Sequence, residues 1–290
     1  MSPDLLSVTV RAAAFVCLFQ AAGVAFFLAK SGGALTRSLA PIARLGWGAA
    51  IAGTVLILLH QSLEAMRMAG EYTGLMDAQL QQLAWLSAGG LAHLVQASGL
   101  LLIAAGLGGP HWPARHRSTS LAVAGAALAV LAFLLTGHTS THPLRVWLAS
   151  LLGLHLLIIA FWFGALAPLA LVLRREPLNI AVRTFEAFSV VAVWLVPLIL
   201  VAGLGLAIVM APGLSVLRQP YGQLLALKLA GFALLMGFAL LNHSRLAPAL
   251  ATRGADGAPA LRKSLMIEYA LLVCVLAVTA VLTTFYSPEH

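Results

Sequence analysis

The residues best able to do chemistry in this chain are histidines and methionines, several of them at helical spacing. His60 and Glu64 lie four positions apart, as do His138 and His142, so each pair shares one face of a helix. Met66, Met68 and Met76 follow soon after His60. Imidazole and thioether together suit copper, whereas harder ions favour cages of carboxylates. His93 and His155 stand apart, each inside a long apolar run where an ionisable group is costly and is a functional candidate by default. The candidate metal ligands are therefore His60, His93, His138, His142 and His155, with Met66, Met68 and Glu64 in support. Trp162 falls seven residues after His155, on the same helical face, and Lys228 is a cation within another apolar run. Both have a pathway or a structural role. Cys17 and Cys274 also lie in apolar runs and are most simply small hydrophobes, so no thiolate cluster is expected.

These side chains must be positioned by elements unlike those of a soluble domain. Of the 290 residues 61% are hydrophobic and 9% charged, and the mean hydropathy is +0.98. A soluble domain carries about 45–50% apolar and roughly 25% charged residues. The composition excludes a soluble enzyme, a disordered regulator and a nucleic-acid-binding domain, despite a pI of about 10.3. A spanning helix needs about 20 mostly apolar residues, and eight such runs are found, near 8–29, 42–63, 82–108, 119–138, 146–173, 186–211, 222–247 and 264–285. The period-2 alternation of an outer-membrane barrel is absent. The fold expected is all-α: one integral-membrane domain over 1–290, a bundle of eight transmembrane helices. The leading segment Met1–Ser7 has an Asp and no Lys or Arg, so the first run reads as a retained helix rather than a signal peptide.

Basic residues orient the bundle. Connections 1–2, 3–4, 5–6 and 7–8 carry Lys30, Arg37, Arg44, Arg115, Arg117, Arg174, Arg175, Arg183, Arg245, Arg253, Arg262 and Lys263. The other side carries only Arg11, Arg67, Arg145 and Arg218. This three-to-one bias over short loops places the first side in the cytoplasm and both termini outside. On that map His60, His138 and His142 fall at the outer face. His155, ten residues past Arg145, lies about 15 Å deeper, and His93 at a comparable depth. Five of the nine histidines thus line an outward-opening half of the bundle. The inner half offers few ligands in its spans. Pro197 should kink the sixth span, and Gly203 and Gly205 beyond it permit close helix approach. No P-loop, Gly-x-Ser-x-Gly elbow or His-Glu-x-x-His helix is present, so neither nucleotide-driven pumping nor an enzyme is expected.

The second half carries a more specific pattern. Leu154-His155 is followed by Phe161-Trp162-Phe163-Gly164-Ala165-Leu166, then Phe188-Ser189, then Pro220-Tyr221-Gly222 with Lys228 downstream. Leu241-Asn242 with Arg245-Leu246 and Pro248 come next, then Leu261-Arg262 with Glu268, and Leu282-Thr283-Thr284 closes the series. In this order the series resembles the copper resistance protein D (CopD) family of bacterial inner-membrane proteins, most strongly over 137–285. The first half matches more loosely, chiefly at Met68-Ala69-Gly70. The resemblance implies copper uptake across the inner membrane beside a periplasmic copper-binding partner of the CopC type. By position it supports roles for His155, Trp162 and Lys228. Ala165, His243 and Ala202 stand where many members have Gly, Arg and Thr.

The leading expectation is a copper permease without its own ATPase, receiving Cu(I) or Cu(II) at an outer His/Met site and passing it to His93 and His155. Two alternatives come from other classes. Paired deep histidines also suit a b-type haem in a redox protein, and a scaffold or sensor would bind copper without moving it.

Overall fold

The computed structural model describes residues 2–109, 117–136, 143–210 and 219–286, and among them there is no strand. Ten helices follow one another: α1 (Pro3–Ser31), α2 (Leu39–Ala69), α3 (Ala78–Leu86), α4 (Ala88–Leu107), α5 (Thr119–Leu131), α6 (Arg145–Arg175), α7 (Leu178–Met210), α8 (Pro220–Leu241), α9 (Ala247–Arg253) and α10 (Ala258–Phe285). Among the described residues seven elements are long and apolar enough to cross a membrane. Of the eight expected spans, the fourth is the short one, an apolar stretch of α5 and a 3-10 turn over Thr119–Leu135.

α1 is the hub. It packs against α2, α4, α5, α6 and α10, and its residues from Leu18 to Ala25 are all buried. Such packing in lipid needs small residues, because dispersion and close approach replace the hydrophobic drive between helices. At the α1–α6 crossing Gly23 meets Gly164. A Cβ on Gly23 would stand 2.1 Å from the Ala160 carbonyl oxygen, and one on Gly164 would stand 2.4 Å from the Gly23 Cα. Across the same crossing the buried Gln20 Nε2 donates to the Gly164 carbonyl at 3.1 Å. α4 and α5 meet in the same way at Gly99 and Gly125.

The third apolar run is broken, not continuous. Asp77 caps α3, accepting from the Gln79 and Leu80 amides, and Ser87 ends α3 and caps α4 by accepting from the Gly90 amide. At Gly90 a side chain would collide with the Trp85 carbonyl oxygen at 2.2 Å, which explains the glycine at this corner. α2 ends at Gly70 in the left-handed conformation, φ +72°, the usual helix terminator.

Both chain ends lie at one end of the bundle. The Arg11 guanidinium donates to Thr283 O at 3.3 Å and Thr284 Oγ1 at 3.2 Å, and Arg67 reaches Asp4 at 3.3 Å. At the opposite end Glu176, between α6 and α7, clamps the turn before α2. Its carboxylate accepts from the amides of Thr36, Arg37 and Ser38 at 3.1, 2.8 and 2.7 Å, and from the hydroxyls of Thr36 and Ser38. Partial burial opposes its ionisation. The hydroxyls of Ser38 and Thr36 and the amides of Ser38 and Arg37 outweigh that, and its pKa is held down at about 2.

α7 and α8 leave broad apolar stripes uncovered. Val190, Trp194, Val201 and Ile208 on α7 and Leu227, Leu234 and Leu240 on α8 are all exposed. A surface of this kind suits acyl chains and not water. The chain is a multi-pass membrane protein.

Candidate functional site

Near the end of the bundle that carries the termini, α2 and α4 bring His60 and His93 together. Their ring centroids are 5.3 Å apart, with the rings inclined at 73°. Two imidazoles on one metal, each bonded at about 2 Å, have centroids within roughly 6.5 Å of one another. The spacing therefore fits a shared ion.

Their hydrogen bonds set which nitrogen is free. Gln61, next to His60 on α2 and buried, donates through Nε2 to the Ala84 carbonyl at 2.7 Å, which turns its Oε1 toward His93. His93 Nδ1 lies 2.5 Å from that oxygen and must carry the proton, so Nε2 keeps its lone pair. His60 is 3% exposed. Its Nε2 faces Ser7 Oγ and Glu64 Oε1, each at 3.5 Å, and its buried Nδ1 has no partner. Each ring is thus oriented through one nitrogen with the other unused, the pattern of metal-ligating histidines whose second nitrogen is held by an outer partner.

The surroundings are nearly charge-balanced. Glu64 accepts from Arg67 at 3.0 and 3.1 Å, and Arg67 also pairs with Asp4. Glu64 approaches His60 at Nε2, the ring edge away from the free Nδ1, so it orients the ring and does not complete a ligand set. Arg11, His60, His93, Gln96 and Phe133 border a cavity of about 10 Å³, the room of a single water. Among the described residues no group of three or more His, Cys, Asp or Glu is placed to hold a metal. The candidate is a two-imidazole site.

His155 does not join this pair. It faces α7, where its Nδ1 donates to the Ile199 carbonyl at 3.1 Å and leaves Nε2 free. Its ring packs where a Cβ on Gly203 would sit, 3.2 Å from Cε1, so the glycine makes room for it. Half-buried Lys228 of α8 is its basic neighbour. Trp162, 2% exposed, lies edge-on to Phe232 and near Glu268.

The methionines separate. Met66 is fully buried in an apolar cluster with Val10 and Leu63, while Met68 is half-exposed and Met76 almost wholly exposed. Met76 borders an open groove with Glu71 and Asp77. His138 and His142 lie outside the described residues. Sequence reasoning missed Gln61, Ser7 and Arg11 as parts of the site. Gln61 carried a signal, being a polar residue beside a candidate ligand within an apolar helix. Ser7 and Arg11 sit near the start of the chain, where nothing in the spacing ties them to α2.

Comparison with known proteins adds the family. Residues 182–282 match the model of the family "Copper resistance protein D". The whole chain aligns with "Copper resistance protein D" of Pseudomonas syringae pv. tomato at 33% identity over 311 residues, covering 99% of this chain and 98% of that protein. No solved structure matches. The family match falls on α7 to α10, and the relative extends the similarity through the helices that hold His60 and His93. The chain belongs to the copper resistance protein D family.

Proposed function

We propose that this protein imports copper across the bacterial inner membrane, receiving the ion between His60 and His93 and passing it to His155. The observation that carries the reading is the pairing of two buried-edge histidines on α2 and α4, each oriented through one nitrogen and each with the other nitrogen free. Two imidazoles and no carboxylate in the ligand set suit Cu(I), a soft monovalent ion that tolerates two-coordination. Arg11 beside the rings favours the lower charge further, since electrostatic repulsion scales with the charge of the ion. The basic-residue bias sets this site on the periplasmic side, where a CopC-type protein is the donor. The groove at Glu71, Met76 and Asp77 lies at the same end as His60 and offers such a donor acidic and thioether groups. His138 and His142 belong to the same outer face by sequence position.

A haem between His60 and His93 fits poorly. A porphyrin needs a flat cavity of several hundred Å³, and the space beside these rings is about 10 Å³.

The test is copper content and a visible spectrum on detergent-purified protein, wild type beside H60A, H93A and H155A. The expected result is about one copper retained by the wild type under reducing conditions, lost in H60A and in H93A, and no Soret band. Vesicle uptake of copper should be lost in all three variants. Copper retained undiminished in H60A and H93A, or a Soret band lost in them, overturns the reading.

A further inference from the structure

A second polar cluster sits far from the paired histidines. Glu268 is ten residues into α10, about 15 Å along the helix from its start, and is 2% exposed. A carboxylate so placed is expensive to keep charged, and such groups mark ion pathways or proton relays. Its neighbours are neutral: Asn242 Nδ2 donates to Oε1, and the Trp162 indole stands nearby. Among the described residues no cation pairs with it. The ion pairs among the described residues are His60–Glu64, Arg67–Asp4 and Arg67–Glu64. Lys228 of α8 lies toward His155, His243 is held by Ser189 Oγ at 2.8 Å, and Arg245 is exposed.

Two oxygens nearby lack a donor. Asn242 Oδ1, on a residue 4% exposed, and Ser264 Oγ, on a residue 5% exposed and one turn before Glu268 on the same helix face, are buried without a partner. A protonated carboxyl supplies the O–H that Asn242 Oδ1 lacks and leaves its other oxygen to accept from the Ser264 hydroxyl, whereas a hard cation needs six or so oxygens and finds only four here. Asn242 also opens a π-turn, Asn242–Leu246, an interruption of helix geometry common at functional sites.

We propose that Glu268, with Asn242 and Ser264, is a proton-binding site whose loading and release accompany copper movement. One proton from water adds to a carboxylate oxygen and is later returned to water, with no other bond changed. The coupling rests on the transport reading above; the proton site does not. A chain without a nucleotide-binding domain then has a gradient to draw on.

The experiment has two arms. Infrared difference spectra of the detergent-purified full-length protein are recorded across a pH titration, reading the carbonyl band of a protonated carboxyl in apolar surroundings. The band is expected in the wild type and in E186Q, which alters an exposed glutamate, and absent in E268Q. E268D should keep the band at a shifted position, which covers the case in which E268Q does not fold. A band unchanged in E268Q, or unmoved in E268D, overturns the proton site. In proteoliposomes with an entrapped pH dye, copper addition is expected to drive proton movement that falls at least tenfold in E268Q and depends on Ser264. Copper flux that ignores both E268Q and an imposed pH gradient overturns the coupling. Absent copper flux in the wild type, with the band intact, overturns the transport reading and leaves the proton site standing.

Discussion

Gln61 is where the paired-histidine reading is most exposed to test. Gln61→Leu preserves volume in the buried space between α2, α3 and α4 and deletes both polar atoms. Two hydrogen bonds go, to Ala84 O at 2.7 Å and from His93 Nδ1 at 2.5 Å. The losses are unequal. The Ala84 carbonyl keeps the Ser87 hydroxyl at 2.7 Å, so it is not orphaned. His93 has no replacement acceptor, and its ring is freed to turn or to change tautomer. One net hydrogen bond is worth about 0.5–1.5 kcal/mol, so the stability loss should be about 1 kcal/mol, a few degrees in apparent Tm. The effect on the metal should be larger. Outer partners of ligating histidines are worth about 10- to 100-fold in affinity, or roughly 1.4–2.8 kcal/mol. Competition with a chelator for Cu(I), with thermal unfolding alongside, separates the two numbers. The Gln61→Leu variant should bind copper at least tenfold more weakly while remaining folded. An affinity within twofold of wild type would refute the claim that the Gln61 bond presents His93 Nε2 to a metal.

Two further predictions concern the frame. Gly164→Ala puts a methyl 2.4 Å from the Gly23 Cα, so α1 and α6 must separate; the cost should be about 1–3 kcal/mol or more, read as a fall in apparent Tm and in monodisperse yield, and a wild-type Tm would disprove the close crossing. Glu176 is held ionised at a pKa of about 2 against roughly 4.3 when unfolded. Its clamp should therefore contribute fully above about pH 4.3 and fade as pH falls through about 2, so that Glu176→Gln is less stable than wild type at pH 7 and converges on it near pH 2. A gap that stays constant with pH would show that the carboxylate charge is not what the clamp uses.

Apolar runs are legible because hydrocarbon leaves the backbone no choice but the helix, and seven of the eight expected spans are long helices at close to the expected places. The break at Ser87 was hidden for a physical reason. Capping by Ser87 and the corner at Gly90 are local polar and steric events that a hydrophobicity window averages away. Depth could be inferred for His60, His93 and His155, but not azimuth. Whether two residues at equal depth face one another depends on how α1, α2, α4 and α6 are rotated, and that is fixed by glycine contacts such as Gly23–Gly164, whose partners are far apart in sequence. Hence His60 and His93 meet while His155 turns to α7. The inner half is expected to offer few metal ligands in its spans; Glu268 and Asn242 are each legible in the sequence, but their meeting is not, because it depends on how α10 packs against the turn after α8.

A basic side chain stands beside each histidine station, Arg11 at the first and Lys228 at the second. For a site whose purpose is to keep copper this would be a poor arrangement. With Glu64 offsetting part of its charge, Arg11 opposes a monovalent ion by on the order of 1 kcal/mol, several-fold in affinity. For a transport pathway the same repulsion is useful, since an ion must bind well enough to enter and weakly enough to leave. Arg11→Gln should therefore tighten copper binding at His60 and His93 several-fold and slow its release, so that vesicle uptake falls although binding improves. The side chain also ties α1 to α10 through Thr283 and Thr284, contacts that the shorter glutamine gives up, so thermal unfolding is followed alongside binding and flux. Affinity and flux moving in opposite directions is a result that general damage to the fold does not give, because damage lowers both. If Arg11→Gln weakens copper binding, the guanidinium is organising the site and not loosening it, and the account of release through fixed charge is wrong.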